Sequence, residues 1–290
     1  MQLTYNDQKI IENQIQDEVS KVETQHGGCI SHSLKVTSKQ GVQYFVKSSL
    51  PGMDLIKEAN GLKEIAKSLA IKTPNIHFAS RGLLVLEWIE AQAPGSHFYK
   101  EFARQLASMH RYTSSAFGFY EDSYIGSLPQ ENPQSASSKN EWTRYFLQHR
   151  LFAQMNLAEK NGYADATLIK SMASLEQLVP IILEGSLEPP CLIHGDLWSG
   201  NYIVGPNQVP YLIDPAVYYG HREVDIAMTK LFGGFPKEFY QAYNEAYPLP
   251  RGFEKRCGLY QLYFLLVHLN LFGPSYYQQC LGLIQRLRDS

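Results

Sequence analysis

Apolar positions at helical spacing open the chain. Ile10, Ile11, Ile15 and Val19 form a stripe behind Asp7, a residue suited to an N-cap. His26-Gly27-Gly28-Cys29 then reads as a turn, and the runs CISHSLKV and GVQYFVKS have strand character, with Lys39-Gln40-Gly41 as the hairpin turn between them. From Asp54 to Ala70 a second stripe (Leu55, Ile56, Ala59, Leu62, Ile65, Ala66, Leu69) predicts a helix, and NIHFA and GLLVLEWI predict two more strands. The expected order to about residue 90 is therefore helix, strand pair, helix, strand pair.

AQAPGS breaks that pattern, and the remainder turns helical. Long helices are expected over His97 to Tyr112, Glu141 to Lys160 and Ala164 to Glu184, with more from about Glu223 to Leu287. Phe117 to Lys139 is aromatic, polar and Pro-containing, and reads as an ordered loop over the surface. Between residues 191 and 214, CLI, NYIV and YLID read as short strands separated by turns. An α+β protein in two lobes follows: a small β-rich lobe over residues 1–90, a connector near Glu87 to Ala93, and a mainly helical lobe over residues 91–290.

Composition narrows the function classes. The 290 residues can bury a sizeable core, and 44% apolar content is ordinary for a globular protein. Twenty-six basic and 28 acidic residues leave a net charge of −2, which favours neither nucleic acid nor an anionic membrane as partner. The start, MQLTYNDQKI, has no basic stretch followed by an apolar one, and the most apolar region, LYQLYFLLVHLNLF, is interrupted by Gln, His and Asn. Four scattered cysteines form no CxxC and no disulfide pattern, so a reducing cytoplasm is expected. Oligomeric state is not legible.

The chemistry gathers late in the chain. LIHGDLWSGN places Asp196 and Asn201 five positions apart on a loop behind an apolar strand, and Asp214 ends the strand in YLIDP. Two hairpin-like strands can bring the three to one rim. Phosphoryl transfer needs such a set: a carboxylate to orient and deprotonate an attacking hydroxyl, and oxygen ligands for Mg²⁺. A single Asp or Asn in a turn more often makes local turn bonds, but the D-x4-N spacing with a strand-terminal Asp is not a turn pattern.

These motifs resemble the fructosamine kinase (ketosamine-3-kinase) family, related to aminoglycoside and choline kinases of the protein-kinase-like fold. HGGCISHSLKV, YFVK, EANGLKEIA, LASMHR, FGFYEDSYIGSLPQENP, HGDLWSGN and DPAVYYGHREVD follow the family's order over roughly residues 20 to 250. The HGD element is shared by many small-molecule kinases; the last two motifs are far more specific.

The resemblance implies roles. Asp196 would be the catalytic base, and Asn201 and Asp214 would bind Mg²⁺. Lys47 would reach the phosphates of ATP, held by Glu58 on the following helix. Gly27, Gly28 and Cys29 would form a phosphate-approaching loop; in its own right Cys29 reads either as a small buried hydrophobe or, on an exposed loop near Lys47, as a thiol open to oxidation. Glu87, Trp88 and Ile89 would be the hinge that binds adenine through backbone groups, and Trp198 would line the sugar site. His194, Gly195 and Asp225 read as structural supports of the catalytic loop.

The implied reaction is transfer of the ATP γ-phosphoryl group to the 3-hydroxyl of a sugar ketoamine, on a small molecule or a protein, leading to deglycation. Two alternatives stand beside it: a kinase for another small hydroxyl compound, aminoglycoside- or choline-like, and a nucleotide-binding regulator without catalysis. The family-specific YYGHREVD opposes the first, and the complete set Lys47, Glu58, Asp196, Asn201 and Asp214 opposes the second. A zinc site at His26, Cys29 and His32 lacks a fourth ligand, and His221-Arg222-Glu223 lacks the PCxxC of zinc deaminases.

Overall fold

Alternation along one strand sets up the first layer of the molecule. In Leu83–Glu87, Leu83 and Val85 face one side of a sheet while Leu84 and Leu86 face the other, and all four are buried. The first side packs with Leu34, Val36, Tyr44 and Val46 against Ile11 of helix α1 (Tyr5–Ile15). The second packs against Leu55, Ala59 and Leu62 of helix α2 (Leu55–Lys67). The structure, a computed structural model, describes residues 3–25, 32–50, 52–136, 141–186 and 188–289.

The sheet comprises β1 (Val19–Gln25), β2 (His32–Ser38), β3 (Gln43–Ser48), β4 (Ile76–Ala79) and β5 (Leu83–Glu87), in the order β1-β2-β3-β5-β4, antiparallel throughout. Two expectations are corrected here. Val19 belongs to β1, a mostly polar edge strand that periodicity did not announce, rather than to the first helical stripe. The N-cap of α1 is Thr4, whose hydroxyl accepts from the Asp7 N–H at 3.1 Å. Asp54 caps α2 as a short carboxylate should, accepting from the Ile56 N–H at 2.9 Å.

Beyond an extended connector, helix α3 (Phe98–Met109) opens a large, mainly helical core. The predicted helix Glu141 to Lys160 is continuous but contains one wide π-helical stretch, Leu147–Phe152, which carries the fully buried Arg150. Ala164 to Glu184 is two helices, Ala166–Glu176 and Val179–Leu183. The segment expected to cross the surface does not. Phe117, Phe119, Ser123, Ile125, Gln130 and Asn132 are all buried, and Ser123–Ile125 pairs with Leu128–Gln130 in a tight hairpin. Phe253–Phe272 is apolar on nearly every face and lies in the core accordingly. Among the described residues no helix is long and apolar enough to cross a membrane.

Candidate active site

The continuous apolar run Cys191–Ile193 makes a fully buried strand, paired with Tyr218–Gly220 rather than with the strand after the catalytic loop. At its end Gly195 has φ +83°, and a Cβ there would sit 2.1 Å from the Ala216 carbonyl oxygen, so the turn demands glycine. Asp225, on the first turn of helix Glu223–Thr229, accepts from the His194 N–H at 2.7 Å and the Gly195 N–H at 2.9 Å. Its Oδ2 also meets His110 Nε2 at 3.1 Å, and His110 Nδ1 meets the Tyr243 hydroxyl at 2.7 Å. Burial pushes the His194 pKa down. The neutral ring donates from Nε2 to the Ile213 carbonyl at 2.9 Å and accepts the Asp196 N–H at Nδ1, 3.3 Å away. His194 and Asp225 are supports, as the sequence implied.

That scaffold leaves Asp196 facing a cavity of about 590 Å³. Lys47, Glu58, Trp198, Asn201 and Asp214 line the same cavity. Tyr202–Val204 pairs with Pro210–Leu212, and this hairpin brings Asn201 and Asp214 to one rim. Asn201 Nδ2 donates to the Asp196 carbonyl at 2.8 Å and to its carboxylate at 3.1 Å. Lys47 Nζ donates to Glu58 Oε1 at 2.9 Å, to Glu58 Oε2 at 3.1 Å and to Asp214 Oδ1 at 2.5 Å. The sheet and the late loop therefore meet through one ammonium group.

The electrostatics divide the carboxylates. Burial works against a charged Lys47, but Asp214 and Glu58 outweigh it and hold the ammonium above its usual range. Burial lifts the Glu58 carboxyl while Lys47 draws it back. Asp196 has no cation partner among the described residues. Burial first, and the charge of Asp214 second, push its pKa up to about 7, against the stabilising Asn201 donor. A carboxylate poised there can accept a proton from a hydroxyl.

The donor set fits a hard cation. Asp196, Asp214 and the Asn201 amide face one cavity, and Asn201 Oδ1 receives no hydrogen bond from a described residue. Mg²⁺ takes few protein ligands and completes its shell with phosphate and water. Among the described residues no group of three or more His, Cys, Asp or Glu gathers as a metal cluster. Asp214 has φ +54°, a conformation costly for a side-chain-bearing residue and common at functional positions.

Other expected residues lie apart. Glu87, Trp88 and Ile89 follow one another where β5 leaves the sheet, but they do not line the cavity. Glu87 accepts from Asn75 Nδ2 at 2.8 Å, Trp88 donates to Glu90 at 2.9 Å and stacks under Lys35, and Ile89 is buried. Gly27, Gly28 and Cys29, with the zinc pattern at His26, Cys29 and His32, fall on or beside residues outside the described ones.

Sequence reasoning missed part of the wall. Lys57 Nζ and Asn60 Nδ2, on α2, donate to Glu121 at 2.5 and 2.7 Å, which docks the buried hairpin segment on the sheet side of the cavity. Phe232, His268, Phe272 and Tyr276 form another stretch of wall. Nothing local marks these residues, because they come from separate C-terminal elements.

A sheet lobe and a helical lobe sharing a lysine–carboxylate cluster, with a further carboxylate on the loop beside it, fit a phosphotransferase of protein-kinase-like fold. Comparison with known proteins narrows the class. The sequence profile described as fructosamine kinase matches residues 3–290, and the chain belongs to that family. It is 40% identical over 226 residues to a candidate ketoamine kinase of Enterococcus faecium, covering 77% of this chain and 78% of that protein. It is 35% identical over 277 residues to the chloroplastic protein-ribulosamine 3-kinase of Arabidopsis thaliana, covering 92% and 82%. The solved structure of a candidate fructosamine-3-kinase from Thermobifida fusca superposes with a TM-score of 0.88 at 30% identity, covering 98% of each chain. Aminoglycoside phosphotransferase APH(4)-Ia shares the fold, with a TM-score of 0.63 at 16% identity and coverage of 97% of each chain.

Proposed function

We propose that this protein transfers the γ-phosphoryl group of ATP to the 3-hydroxyl of a sugar ketoamine, giving an adduct that falls apart and so reverses glycation. One observation carries the reading: Asp196, a carboxylate with no cation partner among the described residues, shares a cavity with the Lys47–Glu58–Asp214 cluster. The family supplies the acceptor class, since relatives bear the names ketoamine kinase and protein-ribulosamine 3-kinase.

In this mechanism Lys47, fixed by Glu58, steers the ATP phosphates into the cavity. Asp196, held in aim by Asn201, orients the sugar hydroxyl in line with the γ-phosphorus and takes its proton as the new P–O bond forms and the bond from the γ-phosphorus to the bridging oxygen breaks, releasing ADP. Asn201 and Asp214 would hold Mg²⁺, which supplies charge neutralisation on the phosphate oxygens when bound. Trp198 offers a flat apolar face to the sugar carbons. Residues 1–90 serve the nucleotide in this reading, with Gly27, Gly28 and Cys29 approaching phosphate and Glu87, Trp88 and Ile89 meeting adenine; residues 91–290 serve catalysis and the acceptor. The cytoplasm is the compartment we assign, supported by the free and buried Cys191, Cys257 and Cys280.

The test is magnesium-dependent ATP consumption with fructosamine, ribulosamine and erythrulosamine acceptors, free and on lysine, beside an aminoglycoside and choline. Phosphorylation of a ketoamine at the 3-hydroxyl, located by phosphorus NMR, is the expected result. Turnover of the aminoglycoside or choline with no ketoamine product would overturn the reading.

A further inference from the structure

The cavity has two chemically different stretches of wall. One is the charged cluster already described. The other is aromatic: Phe232 packs on His268 with ring centroids 4.5 Å apart, and His268 lies 5.3 Å from Phe272 and 5.2 Å from Tyr276. Two of these rings are costly in water. Phe232 is 41% exposed and Phe272 43% exposed, although both belong to one aromatic cluster on the catalytic cavity.

Phe232 is held there at a further cost. Its φ is +55°, a left-handed conformation unfavourable for a bulky side chain, and Gly233 beside it, at φ +101°, would accept such a backbone far more easily. Strain and exposed apolar surface together on a cavity wall mark a surface kept for a ligand.

Charge indicates which part of the substrate fits. A ketoamine carries a secondary ammonium group, and among the described residues the cavity offers it no spare carboxylate. Glu58 and Asp214 are engaged by Lys47, Asp54 caps α2, and Asp196 faces the hydroxyl in the proposed reaction. His268 donates from Nδ1 to the Phe264 carbonyl at 2.8 Å, and burial pushes its pKa down, so the ring adds no repelling charge. Aromatic faces attract an alkylammonium ion and its carbon chain together.

We propose that Phe232 and Phe272 form the seat for the amine and its alkyl substituent, making them specificity-determining residues of the acceptor site. This rests on the ketoamine reading above. Because the two rings reach solvent, the seat leaves room for an amine carried on a larger body, such as a lysine side chain.

The experiment compares the fructosamine of butylamine with its ether analogue, in which oxygen replaces the amine nitrogen. Phe232→Ala and Phe272→Ala are expected to raise KM for the amine substrate about fivefold, the loss of one partly exposed cation–π contact. Turnover number should change less than about twofold, and KM for the ether, which keeps the alkyl contact but lacks the charge, should rise clearly less than KM for the amine. Phe272→Leu keeps most of the apolar area and a readily folded side chain, yet should still weaken the amine selectively. Equal shifts for amine and ether, or an unchanged KM for the amine, overturn the proposal. Should the wild type phosphorylate neither compound, fructosamine is not its acceptor, and the seat is judged by NMR titration of butylmethylammonium. Binding lost in the Phe232→Ala/Phe272→Ala protein upholds it, and equal binding in both proteins overturns it.

Discussion

Two polar networks meet at the catalytic loop, and they are built on opposite terms. Around Asp225 every group is buried and answered: two backbone N–H groups and His110 converge on one carboxylate, and Tyr243 completes the chain. Around Asp196 the groups are incompletely answered. Its own carboxylate has one amide donor and a like charge nearby, and Asp214 is about one-third exposed with a strained backbone. The first arrangement holds a shape, and the second keeps bonding capacity for a substrate. Satisfaction of polar groups therefore separates scaffold from reactive centre more sharply than residue type does, since both networks are built around an Asp carboxylate.

Replacing the reactive carboxylate should give the largest effect. Asp196→Asn is expected to lower turnover by at least about a hundredfold, the loss of general-base help, with little change in ATP affinity. Stability should be unchanged or slightly raised, because the substitution removes a buried charge beside Asp214. Steady-state kinetics and a thermal melt check both halves; near-normal turnover removes Asp196 from the base role.

The scaffold should break in the converse manner. Asp225→Ala strands the His194 and Gly195 N–H groups and His110 without their acceptor. A stability loss of at least about 3 kcal/mol is expected, from three buried donors at about 1 kcal/mol or more each. Urea unfolding measures it, and a loss under about 1 kcal/mol would show that the brace is dispensable.

Metal dependence sharpens the reactive side further. Asp214→Ala should abolish activity, and Asn201→Ala should raise the Mg²⁺ concentration needed for half-maximal rate by about tenfold or more, the usual scale for losing support at a metal site. Rate titrated against Mg²⁺ tests this; unchanged requirements in both variants would sink the ligand assignment.

Much of this contrast was legible in the chain, and the omissions share a physical cause. Lys47 and Glu58 stood out because strand end and helix start are close in sequence, and Asp196, Asn201 and Asp214 because one short stretch carries all three. The polar edge strand β1 escaped because exposed side chains on both faces erase period-two alternation. Residues 117–136 read as surface because Ser123, Gln130 and Asn132 are polar, yet Gln130 donates to Ser123 and Ala216 and Asn132 donates to Ser123, so they are buried as a mutually satisfied group. The strand Tyr218–Gly220 was hidden because its partner, Cys191–Ile193, lies across the whole catalytic loop. Phe232 and Phe272 join the site only through tertiary packing, which no local window reveals.

The last expected effect concerns acid, and it falls on the scaffold. His221 is buried against Trp142, with ring centroids 4.6 Å apart, and Nδ1 lies 3.3 Å from the Tyr260 hydroxyl. Burial first, then the nearby Arg256 and Arg222 charges, push its pKa from 6.5 down to about 3. A folded-state pKa below the unfolded value means that the unfolded chain binds the proton more readily. The contribution of neutral His221 is thus fully present above pH 6.5 and is lost as pH falls toward about 3. The slope for one such group is about 1.4 kcal/mol per pH unit. His221→Gln cannot take up that proton, so its stability should fall less steeply than that of the wild type between these limits. Urea unfolding at several pH values in that window gives the two slopes, whatever the variant costs at neutral pH. Parallel slopes would mean that His221 is not a buried neutral imidazole and that the acid sensitivity of the scaffold lies elsewhere.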